Sequence, residues 1–379
     1  MKLTTAGESH GKALVAIIEG IPAHLKINLD EINKALALRQ SGFGRGARQK
    51  IEKDTAEILS GVRNGETLGS PIALCIYNKD FANWSDCMSD GVCDEEKMAK
   101  KRLTKVRPGH ADLTGVLKFA QDDARNILER ASARETAIRV AAGGVYKQYL
   151  SALGVEIGGY VKEICGIKDG GRYAFNELAR AKTTQVGMLN PEIEEKAIQK
   201  ITELKKAGDT AGGIVEIRVK GLKSGFGNVM TYAQKLDARL AQGLMSVQAV
   251  KGVEVGAGFA VGETSGKDVH DEIYYKNERG FYRETNRAGG IEGGMSNGEE
   301  LVLRVAMKPI PTLMKGLQTV EYSTKEQAIA ASERSDVCAI FAFEIIAEAV
   351  VAQVLADAVD ERLGGDTMQE VIERYQRLP

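Results

Sequence analysis

The most apolar run of the chain covers residues 338–358, and Glu344, Glu348 and Asp357 interrupt it. Three carboxylates make the run too polar to span a bilayer, so it reads as a long helix buried in the protein. Gly364-Gly365 supplies the stop, because glycine tolerates the left-handed conformation that ends helices. A buried helix requires other layers to cover it, and the rest of the sequence offers both strands and helices.

Asn28 with Glu31 predicts a capping box and a helix from 29 to about 39. Asn190-Pro191 opens another helix and Gly208 closes it. A third is predicted at about 232–247. Residues 113–153 read as mainly helical with breaks, and Gly143-Gly144 lets a partner element pack closely there. Apolar and β-branched runs predict strands at 13–19, 56–62, 72–77, 155–164, 214–219, 253–261 and 301–306. The stretch 83–101 is acidic, then basic, and reads as an exposed excursion. No low-complexity linker divides the chain, so a single domain over 1–379 is expected. One faint echo joins Asn64-Gly65-Glu66, before the strand at 72–77, to Asn297-Gly298-Glu299, before the strand at 301–306. Irregular alternation with hairpin-length gaps favours an α+β fold, antiparallel sheets packed on helices, over a doubly wound parallel sheet.

Composition excludes some partners. Lys+Arg 51 against Asp+Glu 52 leaves a net charge of −1, without the basic excess of a nucleic-acid binder. Any anion site must therefore come from local clustering. The 42 glycines against 7 prolines point to tight turns and to backbone lying close to ligands. Cysteines at 75, 87, 93, 165 and 338 form no C-x-x-C pair, which predicts reduced thiols in a cytoplasmic protein and no zinc site. No apolar signal region opens the sequence and no membrane partner is expected.

Two of the four histidines occupy Gly-flanked loops beside acids: Gly7-Glu8-Ser9-His10-Gly11 and Arg107-Pro108-Gly109-His110-Ala111-Asp112. Imidazole is the side chain suited to pass a proton near neutral pH, and a flanking glycine lets a short ring reach a ligand. One such loop alone is better read as a capped turn; two shift the balance toward chemistry. His24 and His270 lack this setting and read as surface or packing residues. Arg39, Arg45, Arg48, Arg107, Arg130, Arg134, Arg139 and Arg334 lie in or beside Gly/Ser-rich or helix-start segments. Their paired donors suit carboxylate and phosphate. If Arg130 to Arg134 is helical, the two guanidiniums share a face with only small residues between them. The segment 289–298 holds five glycines, yet neither a P-loop nor a dinucleotide fingerprint is present. From the residues alone, this is an enzyme for a polyanionic small molecule with two candidate proton-transfer histidines.

Taken together and in order, these segments resemble the chorismate synthase family over nearly the whole chain, from Gly7 to Asp336. The most specific are Arg107-Pro108-Gly109-His110-Ala111-Asp112, Ser132-Ala133-Arg134-Glu135-Thr136 and the double-glycine segment at 289–298. Ala6, Ala131 and Ser335 depart from the family pattern, which carries Phe, Ser and His there. The resemblance implies an anti-1,4 elimination of phosphate from 5-enolpyruvylshikimate 3-phosphate, giving chorismate, in the shikimate route to aromatic amino acids. It implies reduced FMN with no net redox change, a β-α-β sandwich with an internal pseudo-repeat, and a homotetramer.

By the same resemblance, His10 protonates the departing phosphate, His110 acts near the flavin N1–C2 edge, and Asp336 assists hydrogen removal near N5. Arg39, Arg45, Arg48, Arg107, Arg134 and Arg334 would bind substrate. Flavin contacts would come from Arg39, Arg45, Arg130, Ala131, Ser132, Gln248, Ala249, Gly293, Lys308, Pro309, Ile310, Pro311, Thr312 and Arg334. Lys308 and Thr312 suit the FMN phosphate, although Lys308 by itself reads as an exposed strand-end lysine. The loop at 42–50 is expected to be disordered without ligand and closed with it. Either NADPH at this chain or a separate flavin reductase could reduce the FMN; the missing dinucleotide fingerprint favours the separate source. An NAD(P)H-dependent flavin oxidoreductase differs by net redox change. An RNA-binding module is disfavoured by balanced charge and 6% aromatics.

Overall fold

Period-two alternation of apolar residues builds two antiparallel sheets in this computed structural model, which describes residues 1–46, 53–330 and 336–379. The first contains β1 (Lys2–Ala6), β2 (Ala13–Glu19), β3 (Glu57–Ser60) and β4 (Ile72–Tyr77), in the order β1-β2-β4-β3. Val15 is paired with Ala6 on one side and Cys75 on the other. Leu14, Ala16 and Ile18 of β2 are thereby buried on one face. The second sheet contains β5 (Glu156–Ile164), β6 (Gly213–Lys220), β7 (Val250–Val255) and β8 (Leu301–Met307), in the order β7-β8-β6-β5, with Ile167–Lys168 at the edge. Leu301, Leu303, Val305 and Met307 of β8 face its core.

The helices used below are α1 (Leu29–Gln40), α2 (Glu95–Lys101), α3 (Asp112–Phe119), α4 (Arg125–Ala131), α5 (Thr136–Ser151), α6 (Pro191–Ala207), α7 (Leu236–Met245), α8 (Ile340–Leu363) and α9 (Met368–Gln376). α5 packs on β2 and β4, α8 packs on β5 and β6, and the two helices pack on each other. Gly143 makes that meeting close: an added Cβ would collide with Ala349 of α8. A Cβ on Gly144 would lie 2.8 Å from Ile32 Cγ1 of α1. The expectation of close packing at this glycine pair holds for two different partners.

α8 is the buried helix expected from the apolar run, and its acids are paired. Lys182 Nζ donates to Glu344 and, at 2.8 Å, to Glu348 Oε1, while Lys147 also donates to Glu348. Burial and the neighbouring Glu348 push the Glu344 carboxyl up to about 8. Burial also opposes the charge of Glu348, but the two lysines outweigh it and hold that carboxyl below the usual range. No helix among the described residues is long and apolar enough to cross a membrane.

Several boundaries differ from the sequence expectations for identifiable reasons. Asn28 caps α1 by accepting from Asp30 N at 3.0 Å, but no capping box forms, because Gln148 Oε1 takes the Asn28 N–H at 2.6 Å. The strand expected at 253–261 ends at Val255. Gly256 and Gly258 turn left-handed, at φ 60° and 58°, and Gly258–Glu263 becomes a 3₁₀ helix. The helix expected at 232–247 is α7, preceded by a 3₁₀ turn at Tyr232–Gln234. β1 and α9 were not expected at all. A readable signal for α9 exists in Thr367 and Glu370, which form its capping box.

Candidate active site

The turn between β1 and β2 carries Ser9 and His10. Gly7 enters it at φ 113°, a conformation that a side chain resists. α4 lies against this turn. Ser9 N donates to Glu129 O at 2.9 Å and His10 N donates to Glu129 Oε2 at 2.8 Å. His10 Nδ1 lies 2.9 Å from Glu129 Oε1 and 3.0 Å from Oε2, and Arg125 Nη1 donates to Glu129 Oε1 at 3.2 Å. Burial opposes the charged form of Glu129, but the bonds from His10 and Arg125 hold its carboxyl below the ordinary range. The Trp84 ring stacks on the His10 imidazole with centroids 4.0 Å apart. Lys101 Nζ lies 4.1 Å from the same indole. Most of residues 83–101 are exposed, as expected, but Trp84 lays its ring on His10 and Lys101 stands over that indole.

The second histidine stands at the start of α3. His110 Nδ1 lies 2.6 Å from Asp112 Oδ1, and Arg107 binds the same carboxylate through Nε at 2.7 Å, its backbone N at 3.0 Å and Nη2 at 3.0 Å. Asp112 is fully buried. Burial opposes its charge, but His110 and Arg107 hold its carboxyl well below the usual range. Lys308, just past β8, donates to Gly109 O, so it is drawn onto the His110 loop and is no idle strand-end lysine. A Cβ at Gly109 would lie 3.4 Å from Pro311 Cβ, which puts 308–311 beside that loop. Thr210 Oγ1 donates to Ile310 O at 2.8 Å and fixes the segment from the other side.

A third cluster surrounds Asp54. Arg134 Nη1 donates to Asp54 Oδ2 at 2.6 Å, and Arg39 Nη1 lies 3.8 Å from the same oxygen. Arg39 also donates through Nε and Nη2 to Thr136 Oγ1, at 3.0 and 2.8 Å, and through Nη2 to Ala133 O at 2.9 Å. Burial, with Arg45 and Arg134 nearby, pulls the Arg39 guanidinium down to about 9, still a cation at neutral pH. Arg45 Nη1 pairs with Asp336 Oδ2 at 3.0 Å, and Gly46 N donates to Asp336 Oδ1 at 2.5 Å. The described part of the 42–50 loop is tied down: Phe43 N donates to Gln185 O and Val337 N to Gly44 O, both at 2.8 Å. Residues 47–50 of that loop, Arg48 among them, lie outside the described residues, as do Arg334 and Ser335.

Arg130 and Arg134 do not share a helix face. Ser132 adopts φ −61°, ψ 141° and ends α4, and its Oγ accepts from Arg134 N at 3.2 Å. Arg130 is left half-exposed, donating to Thr5 O and Gly7 O at 3.1 and 3.2 Å, while Arg134 turns inward. Ser132 Oγ also donates to Ser9 Oγ at 3.2 Å and so joins the segment after Ala131 to the His10 turn.

Gln248 Nε2 reaches Glu135 Oε2 at 3.5 Å, and Ala249 O accepts from Lys308 N at 2.9 Å. Ala249 sits at φ 68°, strained for a residue with a Cβ, and the buried Gln248 Oε1 has no hydrogen-bond partner among the described residues. A cavity of about 330 Å³ opens here, lined in part by Thr5, Arg130, Glu135, Arg139 and Gln248. An orphaned amide oxygen accepts an N–H, and Arg130 at the cavity wall suits a phosphate, so this lining fits a flavin nucleotide. Gly293, at φ 60°, turns beside Val229, and no hydrogen bond joins it to either histidine cluster. Thr312 closes the segment that begins at Lys308. His24 is exposed, with Glu66 at 3.3 Å, and His270 is exposed as well. Glu129, Trp84, Asn78 and Asp54 were not singled out in the sequence: the last three lie in no glycine-rich or arginine-rich segment, and Glu129, although beside Arg130, carries no local mark of its pairing with His10.

The family model for chorismate synthase matches residues 1–359. A chorismate synthase of Alkaliphilus metalliredigens is 51% identical over 371 residues, covering 98% of this chain and 97% of its own. One of Thermus thermophilus is 50% identical over 377 residues, covering 100% of this chain and 98% of its own. A crystal structure of chorismate synthase superposes with a TM-score of 0.79 at 41% identity, covering 99% of this chain and 96% of that one.

Proposed function

Because the chain belongs to the chorismate synthase family of lyases, we propose that it converts 5-enolpyruvylshikimate 3-phosphate to chorismate by anti-1,4 elimination of phosphate, with reduced FMN and no net redox change. The observation that carries this reading is the pair of carboxylate-backed imidazoles, His10 on Glu129 and His110 on Asp112, each in a glycine-flanked loop. Two separately oriented rings suit a reaction that must protonate a leaving group and manage a second proton elsewhere.

The substrate brings a phosphate and two carboxylates to a chain of nearly zero net charge. Among the described residues, Arg39, Arg45, Arg107 and Arg134 face Asp54, Asp336 and Asp112. Four guanidiniums against three carboxylates leave a local positive excess, to which Arg48 and Arg334 would add. Fixed cations of this kind hold the substrate and stabilise charge growing on the departing phosphate. His10 then gives its proton to that phosphate, and Asp336, which accepts from Gly46 N and pairs with Arg45, would assist loss of the C6 hydrogen. His110, with Nδ1 on Asp112, would meet the flavin edge with its other ring nitrogen.

Reduced FMN, when bound, supplies transient electron donation and help in removing the hydrogen. Lys308 and Thr312 would take its phosphate. Arg130, Ala131, Ser132, Gln248, Ala249, Gly293 and the segment 309–311 would line the remainder, with Arg39, Arg45 and Arg334 alongside. The same reading includes a β-α-β sandwich with an internal pseudo-repeat, a homotetramer, a cytoplasmic setting, and either NADPH or a separate reductase as the source of reduced flavin. Supporting the sandwich, α5 and α8 each cover one sheet and meet each other. Supporting the repeat, Asn64-Gly65 and Gly298 all take positive φ ahead of a strand in each sheet.

The test is an anaerobic assay with dithionite-reduced FMN. Chorismate and phosphate should form in equal amounts while the reduced flavin is not consumed. Repeating it with oxidised FMN and NADPH decides the source of electrons. No phosphate release under the first condition overturns the proposal.

A further inference from the structure

Glu129 is nearly fully buried, and both its oxygens are committed to the His10 turn. A carboxylate 2.9 Å from an imidazole nitrogen requires that nitrogen to carry hydrogen. Nδ1 is therefore the protonated position, and Nε2 has no hydrogen-bond partner among the described residues. The opposite constraint comes from Trp84, whose π face stacks at 4.0 Å and favours a cationic ring. The other charges around the ring and its stacked indole are Arg125 on Glu129 and against Trp84, Lys101 against Trp84, Asp80 accepting from Trp84 Nε1 at 3.1 Å, and Glu8 within the same turn. Glu129 is the carboxylate that contacts the ring. His10 has side-chain exposure of 13%, so solvent screens this pairing poorly.

We propose that Glu129 is the positioning residue of His10, holding hydrogen on Nδ1 and fixing the ring against Trp84. The inference rests on His10 as the acid of the proposed elimination. In that step the Nε2–H bond breaks and an O–H bond forms on the departing phosphate. His10 is left neutral with Nδ1–H still donated to Glu129. The arrangement works as a buried carboxylate does behind any catalytic imidazole: it sets the tautomer and stabilises the charged ring without taking the proton.

Trp84 is the one tryptophan of the chain, and its contact with His10 makes it a reporter. An imidazolium stacked on indole quenches fluorescence more than the neutral ring. With neither flavin nor substrate present, full-length protein should show a pH-dependent quenching transition, and His10→Gln should abolish it. Glu129→Gln should move the midpoint down by about one pH unit or more, since a contacting opposite charge is lost. Glu129→Asp should stay near the parent. In the assay, Glu129→Gln should lower kcat by about 10²-fold at pH 8 and less at lower pH, with KM little changed. A merely structural loss would lower activity evenly across pH.

An unshifted midpoint in folded Glu129→Gln overturns the proposal. Should that variant fail to fold, ¹⁵N shifts of His10 in the parent decide: hydrogen on Nδ1 of the neutral ring supports the inference and hydrogen on Nε2 sinks it. If His10→Gln remains active while Glu129→Gln still shifts the midpoint, the acid role of His10 falls and the hold of Glu129 on the ring stands.

Discussion

Asn78 Oδ1 accepts from both Nε and Nη2 of Arg134, at 3.0 and 2.8 Å, while the Asn78 amide donates to Gly11 O at 2.7 Å. One buried side chain at the end of β4 thus fixes a substrate-binding candidate and the turn that carries His10. Asp54, on the other side of Arg134, completes its set of acceptors. The two sites are coupled through rigid, paired groups, and this coupling is open to mutation.

Asn78→Ala should leave the buried Arg134 short of two hydrogen bonds and free the His10 turn. The expected loss of stability is about 1–3 kcal/mol, the usual range for an unsatisfied buried polar group. Asn78→Asp should place a second carboxylate on Arg134, cancelling charge meant for substrate, and should also lose the donation to Gly11 O. Its KM should rise about tenfold or more. A KM equal to the parent's in Asn78→Asp would show that Arg134 does not meet the substrate.

Asp112 binds two partners at once, so Asp112→Asn should weaken the His110 support and remove the buried negative charge that faces Arg107. At pH 7 the stability loss should be about 3 kcal/mol or more, as for other broken buried pairs. Its folded pKa lies below the unfolded value, so its stabilising contribution is present above the ordinary carboxyl range and fades as pH falls below it. Urea midpoints of parent and variant should therefore differ at pH 7, and the gap should begin to narrow only once pH falls below the ordinary carboxyl range. His110→Ala should lower kcat by roughly 10²–10⁴-fold, and near-normal turnover would remove His110 from the chemistry.

The contrast between these residues shows what the sequence displays. His10, His110 and the arginines stand in glycine-rich loops, and a loop that brings backbone close to a ligand announces itself in composition. The strands also show, because β2 and β4 match their apolar runs residue for residue. Glu129, Asn78 and Trp84 act at long range, across 119, 56 and 74 positions from the groups they hold, and no local pattern marks such a partner. The same cause explains Asn28, whose expected capping box was displaced by Gln148 from a different helix. Arg130 and Arg134 were read as one helical face because their spacing fits; the Ser132 cap that separates them is a choice between two local structures that tertiary contacts decide.

Gly143 offers a test of packing alone. Alanine is the better helix former, worth about 1 kcal/mol over glycine in an unconstrained helix. Here its Cβ would strike Ala349, which belongs to the other central helix and has no room to retreat. Gly143→Ala should be destabilising by about 1–3 kcal/mol despite the propensity gain. Gly144→Ala meets the more yielding side chain of Ile32 and should cost less. A stabilised Gly143→Ala, by thermal or urea midpoint, would mean that α5 and α8 are not held as closely as they stand.

Glu344 gives the last prediction, and its sign is opposite to that of Asp112. Burial and the charge of Glu348 raise its carboxyl to about 8, above the value it has in the unfolded chain. Between the ordinary carboxyl range and pH 8 the folded protein therefore holds a proton that the unfolded chain has released. Stability from this group must fall as pH rises through that window, and above pH 8 the full cost of a buried charge is present. Glu344→Gln keeps the shape and hydrogen-bonding reach of the protonated acid and has no charge to bury. The variant should match the parent at pH 5.5 and exceed it at pH 9, as read from urea midpoints with unchanged slopes. A parent that stays the more stable of the two at pH 9 would show that Lys182 compensates Glu344 fully, and that the buried acids of α8 carry no net penalty.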